Sequence, residues 1–181
     1  IKGTLFSKVG AVGLGARVTL EGRMFTMAGA ITTGVNAVIT PPACTSTISV
    51  FCQSSCGPAA VVDVLGIVSD FALYTSLGAV GNTSISGVNG RIGTNSGSIV
   101  GYTNGIHIGS EHIADSLTAQ AKKDLDTAYA ALMSLPVTGV HAAVAFGTGE
   151  VLDPGVYSIA AAGSLSGTIT LDGKGDPDAI F

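Results

Sequence analysis

Two stretches near the start of the chain decide its fold. Residues 2–15 read KGTLFSKVGAVGLG and residues 21–34 read EGRMFTMAGAITTG, so the second repeats the first at a constant nineteen-position offset. The identical pairs are Gly3/Gly22, Phe6/Phe25, Gly10/Gly29, Ala11/Ala30 and Gly15/Gly34. A fixed period with glycine at the corners and strand-forming residues between them is typical of a β-solenoid. Each coil would stack on the next at about 4.8 Å and bury its inward side chains in a shared core.

The repeat is interrupted once and then returns. Prolines at 41–42 stop it, because proline cannot donate to a strand ladder. Residues 43–65 carry little charge and read as a linker. The same offset reappears beyond residue 65, in the pairs Leu73/Ile92, Thr75/Thr94, Gly78/Gly97, Ala79/Ser98 and Val80/Ile99. We therefore predict solenoid coils at 1–42, a linker at 43–65 and solenoid coils at 66–181.

The predicted linker holds all three cysteines of the chain, Cys44, Cys52 and Cys56. Their spacings of eight and four positions match no zinc-binding pattern. A disulfide between two of them, in an exported protein, is the interpretation we favour. The third cysteine would then be free or would pair between chains.

The composition excludes several classes of protein. With 26 Gly, 6 Pro and no Trp in 181 residues, the chain suits many short strands and tight turns. A net charge of −4 without a basic patch argues against a nucleic-acid partner. No apolar run approaches the roughly 18 residues of a membrane span. The sequence starts at Ile1 without a signal peptide, so we expect a mature product or a fragment.

One segment has helical rather than solenoid periodicity. Apolar residues recur on one stripe at Ile113, Leu117, Ala121, Leu125, Ala128 and Leu132. Ser110 is the predicted N-cap, and Leu135-Pro136 ends the segment. The pattern predicts a helix at about 111–134, roughly 36 Å long, which could lie along about seven coils.

The second half of the chain resembles a known family. The stretches that carry the resemblance are GRIGTN (90–95), AQAKKDLDTAY (119–129), LDPGVY (152–157) and TITLDGKGDPDAIF (168–181). Together they resemble the ice-binding-protein-like family of microbial β-solenoids. Residues 1–42 resemble the last coils of the same family, through KGTL (2–5) and LEGR (20–23). The resemblance implies a mostly β fold, an irregular three-faced right-handed β-solenoid with one long helix packed along its side.

The order of the parts departs from the family. Coils of the C-terminal type (1–42) precede coils of the N-terminal type (66–181), and the family's intervening coils are missing. This order fits the end of one domain joined to the start of the next, and it equally fits a permuted unit. We therefore expect the missing coils to come from a longer precursor or from neighbouring copies, with 1–42 completing an adjacent solenoid.

The residues that could support catalysis or metal binding do not form a recognisable site. His107 and His112 lie five positions apart, and neither has a carboxylate at ligand spacing. We interpret these two histidines and His141 as turn or surface residues. Asp172, Asp176 and Asp178 do not have the spacing of a Ca²⁺ loop. The acidic residues are scattered over helix and turns, whereas polysaccharide-cleaving solenoids need clustered carboxylates. We predict no catalytic residues, no metal and no cofactor.

Binding to a periodic surface is the function that the resemblance implies. Family members that bind ice use a flat face rich in Thr, Ser, Ala and Asn, and some carry a short motif that matches residues 33–36. The candidate ice-contacting residues are Thr32, Thr33, Asn36, Thr168 and Thr170, provided that they share a face. The alternative is that these threonines are ordinary strand residues. We predict a secreted or cell-surface ice-binding module, or alternatively a structural or adhesive subunit of an extracellular fibre built by stacking or swapping solenoid units.

Overall fold

The regular structure of this chain is almost entirely parallel β-strand. The structure is a computed structural model. It describes residues 2–41, 64–83, 86–102, 107–143, 145–161, 164–166, 168–175 and 179–181. Every strand pair among these residues is parallel, as the coils of a solenoid require. The chain forms two compact units, Ile1–Ala130 and Ala131–Phe181, which we describe separately.

The strands of the first unit are short and follow one another around each coil. They are β1 (Lys2–Val9), β2 (Val12–Leu14), β3 (Thr19–Ala28), β4 (Ile31–Thr33), β5 (Val38–Thr40), β6 (Phe71–Thr75), β7 (Val80–Asn82), β8 (Gly87–Asn89), β9 (Arg91–Thr94), β10 (Ile99–Val100), β11 (His107–Ile108) and β12 (Glu111–Ile113). They stack into three faces. The first face is β1-β3-β6-β9-β12, the second is β2-β4-β7-β10, and the third is β5-β8-β11 against the start of β3. A mostly β, three-faced solenoid is therefore the fold of this unit, as the sequence predicts.

The strand register confirms the period of the sequence repeat. Leu5 pairs with Met24, Val12 with Ile31 and Leu20 with Ile39, so each partner lies nineteen positions further along the chain. Beyond the predicted linker the same spacing joins Leu73 to Ile92 and Val80 to Ile99. A coil therefore contains the same number of residues before and after the predicted linker.

The coils after the predicted linker stack directly on the coils before it. Met24 pairs with Leu73, so the sequence offset at this step is forty-nine positions instead of nineteen. Strands β4 and β5 pair with β7 and β8 in the same way. The expectation that residues 1–42 complete a neighbouring solenoid is not met in this structure, because these coils stack on the later coils of their own chain. The predicted division at residues 42 and 66 stays a prediction, since 42–63 lie outside the described residues.

Glycines at one corner bring the backbones of successive coils into close contact. Gly29 and Gly78 have φ angles of 150° and 141°, a region that residues with a Cβ rarely adopt. A Cβ on Gly29 would lie 2.1 Å from the Gly10 carbonyl oxygen, and one on Gly78 would lie 2.2 Å from that of Gly29. No side chain fits into these spaces, so the repeated glycines are a steric requirement of stacking.

A threonine beside this corner bonds each coil to the preceding one. The hydroxyl donors and carbonyl acceptors are Thr26 to Gly10 (3.2 Å), Thr75 to Gly29 (2.9 Å) and Thr94 to Gly78 (2.8 Å). All three threonines are fully buried and occupy successive positions in one column of the register. Because a buried hydroxyl without a partner would be costly, the hydrogen bonds explain how a polar column can line the interior. These threonines thus connect neighbouring coils by hydrogen bonds inside the solenoid.

Aliphatic side chains fill the rest of the interior. One inward column runs through Met24, Leu73 and Ile92, and another runs through Leu20, Ile39 and Val88. Five of these six side chains are completely buried, and Val88 is 2% exposed. Full burial of a side chain of this size stabilises the fold by about 1.5–3 kcal/mol. Stacking one coil on another is therefore the main source of apolar burial.

The helix α1 (Ser116–Met133) begins later than the sequence predicts. Residues Glu111–Ile113 form β12, which pairs with β9, so Ser110 does not cap the helix. Asp115 is the cap: its carboxylate accepts the Thr118 N–H at 2.8 Å, and the Thr118 hydroxyl accepts the Asp115 N–H at 2.9 Å. At 18 residues the helix is about 27 Å long. The predicted helix at about 111–134 was wrong at its start, because residues 111–113 pair with β9 as a strand instead of continuing the helix.

Within the first unit, α1 covers the outer side of the first face. Leu125 is fully buried against outward aromatic residues of the strands, together with Ala121 and Ala128. The Tyr74 hydroxyl donates to the Thr118 carbonyl at 2.7 Å, and burial raises the pKa of Tyr74 to about 12. A 3₁₀ turn at Gly66–Asp70 is joined to the helix, because the Ile67 N–H donates to the Asp124 carboxylate at 2.8 Å. The predicted lengthwise packing is confirmed at Leu125.

The second unit consists of two further coils. Its strands are β13 (Gly139–Val140), β14 (Ala145–Gly147), β15 (Glu150–Leu152), β16 (Tyr157–Ser158), β17 (Ser164–Ser166) and β18 (Ile169–Leu171). They pair as β13 with β16, β14 with β17 and β15 with β18. The offset is eighteen positions in the first pair and nineteen in the other two, close to the period of the first unit.

We expect Leu125→Asp to prevent folding of the first unit. Removing a buried leucine side chain costs about 2–5 kcal/mol, and an unpaired buried carboxylate adds to that loss. Ala119→Asp, on the exposed side of the same helix, is the control and should change the free energy of unfolding by less than about 1 kcal/mol. Circular dichroism and chemical denaturation would measure both. An unchanged melting curve for Leu125→Asp would contradict the packing described here.

Candidate functional site

The three faces of the first unit differ in how much of their outer surface is free. The first face is covered by α1, with Phe25, Phe71 and Tyr74 buried beneath it. A stacked pair of Phe6 and Tyr129, with ring centroids 5.8 Å apart, continues this contact. The outer side of the first face is therefore buried under the helix. A binding surface of the first unit would lie on its second or third face.

The third face is open but carries a charge. Its outward positions form two columns, Thr19-Val38-Gly87 and Glu21-Thr40-Asn89-Ile108. Ile108 is 70% exposed, so the face is partly apolar. The Glu21 carboxylate makes one end of the face hydrated, which is unfavourable for a surface that must match an uncharged solid.

The second face is open and uncharged. Its outward positions form two columns of small residues, Ala11-Ala30-Ala79-Ser98 and Gly13-Thr32-Gly81-Val100. We call these eight positions the small-residue face. None of the eight side chains is longer than valine, so no side chain projects far from the sheet. Stacking at about 4.8 Å repeats the columns at a fixed interval.

The candidate residues in β4 and in the turn after it do not all point outward. Thr32 is exposed at the centre of the small-residue face, next to Gly13 and Gly81 in the register. Thr33 is fully buried, and its hydroxyl donates to the Asn82 amide oxygen at 3.1 Å. Asn36 is exposed, but it lies in the following turn with a φ of 56°. Because successive residues of a strand point to opposite sides of the sheet, Thr33 points into the core while Thr32 points outward. The residues of the motif at 33–36 therefore do not form a row on one face.

The two remaining candidates belong to the second unit. Thr168 and Thr170 are both exposed, and Thr170 pairs with Val151 in the strand register. Their role in binding stays a prediction.

Sequence reasoning missed most of the small-residue face. It singled out threonine, although the outward columns consist mainly of alanine and glycine. The signal was present in the repeat, because Ala11/Ala30, Gly13/Thr32 and Ala79/Ser98 are all related by the nineteen-position offset. Comparing the residues at each outward position in successive repeats would have identified this face.

The family model described as "Ice-binding-like" matches residues 74–181, which is more than half of the chain. This chain belongs to the ice-binding-like family.

Two relatives of this ice-binding-like chain extend the comparison. An "Ice-binding protein" from Nostoc sp. (strain HG1) is 36% identical over 128 residues, covering 68% of this chain and 45% of the relative. The crystal structure of an ice binding protein from an Antarctic bacterium, Flavobacteriaceae, matches with a TM-score of 0.59 and 31% identity. That match covers 99% of this chain and 44% of the other. The chain therefore spans less than half the length of either relative.

Metal-binding clusters and membrane-spanning helices are not found in the described part of the ice-binding-like chain. Among the described residues, no group of three or more His, Cys, Asp or Glu side chains is placed to hold a metal ion. In the described part of the chain, no helix is long and apolar enough to cross a membrane. The predicted disulfide residues Cys44, Cys52 and Cys56 lie outside the described residues, as do Asp176 and Asp178.

The three histidines have local partners. In the first unit, His107 Nε2 lies 2.7 Å from the Gly90 carbonyl oxygen, and His112 Nδ1 lies 2.7 Å from the Asp115 carboxylate. In the second unit, His141 Nε2 contacts the Glu150 carboxylate, and its ring stacks on Phe146 at 4.1 Å between centroids. Each histidine thus has a partner near it in the fold, but His107 lies in β11 and His112 in β12 with side chains 5% and 17% exposed, so the interpretation as turn or surface residues was wrong for these two.

The contact between His141 and Glu150 favours their charged forms. The hydrogen bond to Glu150 is the main cause that raises the pKa of His141 above its usual value. The pKa of Glu150 is lowered, first by the Gly147 N–H, which donates to it at 3.0 Å, and then by His141. The histidine contribution to stability is complete below pH 6.5 and is lost as the pH rises through the raised pKa. The glutamate contribution is complete above pH 4.5 and is lost as the pH falls through the lowered pKa.

We therefore expect the ion pair to stabilise the second unit most between about pH 4.5 and 6.5. An NMR titration of the imidazoles should give His141 a pKa above 6.5. Glu150→Gln should lower the His141 pKa, because it removes the carboxylate that the imidazole contacts. A His141 pKa that does not respond to Glu150→Gln would contradict the pairing.

Proposed function

We propose that this chain binds ice through the small-residue face of its first unit. Three features of that face support the proposal: its flatness, its lack of charge and its regular columns. A rigid sheet of small side chains can approach a crystalline surface closely without losing side-chain entropy. The family relationship supports the same activity, since the two relatives are named as ice-binding proteins.

Thr32 is the proposed centre of this surface. Its side chain is exposed, and the glycines at positions 13 and 81 leave space on both sides. Asn36 would contribute from the edge of the same coil. Thr168 and Thr170 are proposed as contacts of the second unit.

The proposed activity is non-enzymatic and extracellular. A surface that acts on ice must meet it outside the cell, so we propose a secreted or cell-surface location. Neither a metal nor a cofactor enters the proposal, because the contact uses only uncharged side chains and backbone.

The test is a matched pair of substitutions, Thr32→Tyr on the small-residue face and Thr40→Tyr on the third face. Both threonines are exposed strand residues, so tyrosine should change the melting temperature little in either variant. Thermal hysteresis and inhibition of ice recrystallisation are measured for the parent and for both variants. We expect Thr32→Tyr to remove most of the activity, because a ring standing above the face separates it from ice, and Thr40→Tyr to retain it.

Other outcomes reassign the site or reject the function. Loss of activity in Thr40→Tyr alone would move the ice contact to the third face. Retained activity in both variants would exclude both faces as the contact. A parent chain that is folded but inactive would contradict ice binding.

A fibre subunit is the second candidate function. The observation that favours it is the open strand edge at β1, which pairs on one side only among the described residues. Unpaired edges can add strands from other molecules. Negative-stain microscopy of the purified chain would show filaments under this alternative and dispersed particles under ice binding.

A further inference from the structure

Three side chains near the start of α1 form a continuous chain of hydrogen bonds. The Ser110 hydroxyl oxygen lies 2.9 Å from His112 Nε2, and His112 Nδ1 lies 2.7 Å from the Asp115 carboxylate. A hydroxyl, an imidazole and a carboxylate joined in this order, through these two ring nitrogens, form the arrangement that activates a serine nucleophile. The sequence did not predict this cluster, because no local motif marks positions 110, 112 and 115.

The strand and its neighbours explain how the first two side chains come together. Ser110 immediately precedes β12 and His112 is the central residue of that strand, so their side chains point to the same side of the sheet. The edge of the buried Phe71 ring contacts the imidazole, with ring centroids 5.8 Å apart. The His112 side chain is 17% exposed, whereas Ser110 is exposed. The imidazole is thus held in place while the hydroxyl is accessible from solvent.

The carboxylate determines which ring nitrogen carries the proton. An ionised carboxylate only accepts hydrogen bonds, so neutral His112 donates through Nδ1 and keeps a lone pair on Nε2. That lone pair faces the Ser110 hydroxyl, which donates to it. The hydrogen bond from the Thr118 N–H is the first cause that lowers the pKa of Asp115, and the one from His112 is the second. This tautomer is the one that a general base requires.

Helix capping accounts for only part of this cluster. Asp115 Oδ1 accepts the Thr118 N–H, and the Thr118 hydroxyl accepts the Asp115 N–H. The other carboxylate oxygen, Oδ2, takes part in neither of these two bonds and contacts His112 instead. The cap therefore fixes the carboxylate in place, and its second oxygen orients the imidazole towards Ser110.

We propose that Ser110 is an acyl-accepting nucleophile and that this site hydrolyses activated esters, such as the esters of phenols. His112 is the general base, and Asp115 is a positioning residue that acts through His112. The site is separate from the proposed ice contact, because β12 belongs to the first face and the small-residue face is the second.

The reaction follows the two steps of covalent acyl transfer. The Ser110 hydroxyl oxygen bonds to the ester carbonyl carbon while its proton passes to His112 Nε2. The bond from that carbon to the phenolic oxygen then breaks, and the leaving group takes the proton from Nε2. Water attacks the acyl-serine with the same base, which releases the carboxylic acid and restores the hydroxyl. The net reaction converts ester and water into acid and phenol, with no change of oxidation state.

The test treats the full chain with 4-nitrophenyl acetate and, separately, with a fluorophosphonate probe. Mass spectrometry of peptides locates the acetyl or phosphonyl group, and we expect both on Ser110. Ser110→Ala should remove this modification. Ser116→Ala, which changes another exposed serine of the same segment, is the control and should leave the modification of Ser110 at the parent rate.

Two further variants test the roles of the partners. His112→Gln should slow acetylation of Ser110 about a hundredfold or more, since general-base assistance contributes about 10²–10⁴-fold. Asp115→Asn should slow it about tenfold or more, because the amide no longer favours the required tautomer. Asparagine caps helices about as well as aspartate, so the melting temperature of this variant should change little.

Two outcomes would overturn the proposal. One is a folded parent chain in which neither reagent modifies Ser110. The other is modification of Ser110 at the parent rate in His112→Gln or in Asp115→Asn, which would leave the cluster a purely structural role. Neither readout involves ice, so the result is independent of the proposed function.

Discussion

The backbone contact at the glycine corners is the constraint on which the rest of this structure depends. At Gly29 and Gly78 the carbonyl of one coil occupies the space that a side chain would need on the next. The neighbouring threonine donates to that same carbonyl, as Thr75 does to Gly29 at 2.9 Å. Close approach and hydrogen bonding therefore act at one point, once per coil. A slip of one position would place a residue with a Cβ, such as Ala28 or Ala30, against the carbonyl, so the contact fixes the length of the repeat.

Fixed stacking also determines the chemistry of the surfaces. Because the register is constant, each outward position forms a column, and the character of a face depends on a few repeated positions. The first face has aromatic columns and is covered by the helix through Leu125. The second face has columns of small residues, mainly alanine and glycine, which need no covering element. The candidate binding surface is thus a consequence of the same contact that holds the coils together.

The sequence predicted the features that follow directly from the repeat. Its predictions failed where one residue fits two structural patterns. The period, the parallel stacking and the burial of Leu125 follow from spacing alone. The helix start was misplaced because Ile113 fits both the helical stripe and the β12 ladder, and only pairing with β9 distinguishes them. The prediction that Thr33 lies on the surface was wrong, because a short motif does not show which residues of a strand point inward and which point outward. The pairing of β6 with β3 was also not predicted, because the predicted linker separates the paired residues by more than one repeat.

The most direct test of this account compares two glycine substitutions. Gly78→Ala introduces a Cβ at a φ of 141°, 2.2 Å from the Gly29 carbonyl oxygen, whereas at Gly87 a Cβ has no described atom within 4 Å. Chemical denaturation of both variants measures the free energy of unfolding. The account predicts a loss of about 3 kcal/mol or more for Gly78→Ala, from backbone strain and displaced coils, and a change within about 1 kcal/mol for Gly87→Ala. Equal stability of the two variants would contradict the claim that the glycine corners control the fold.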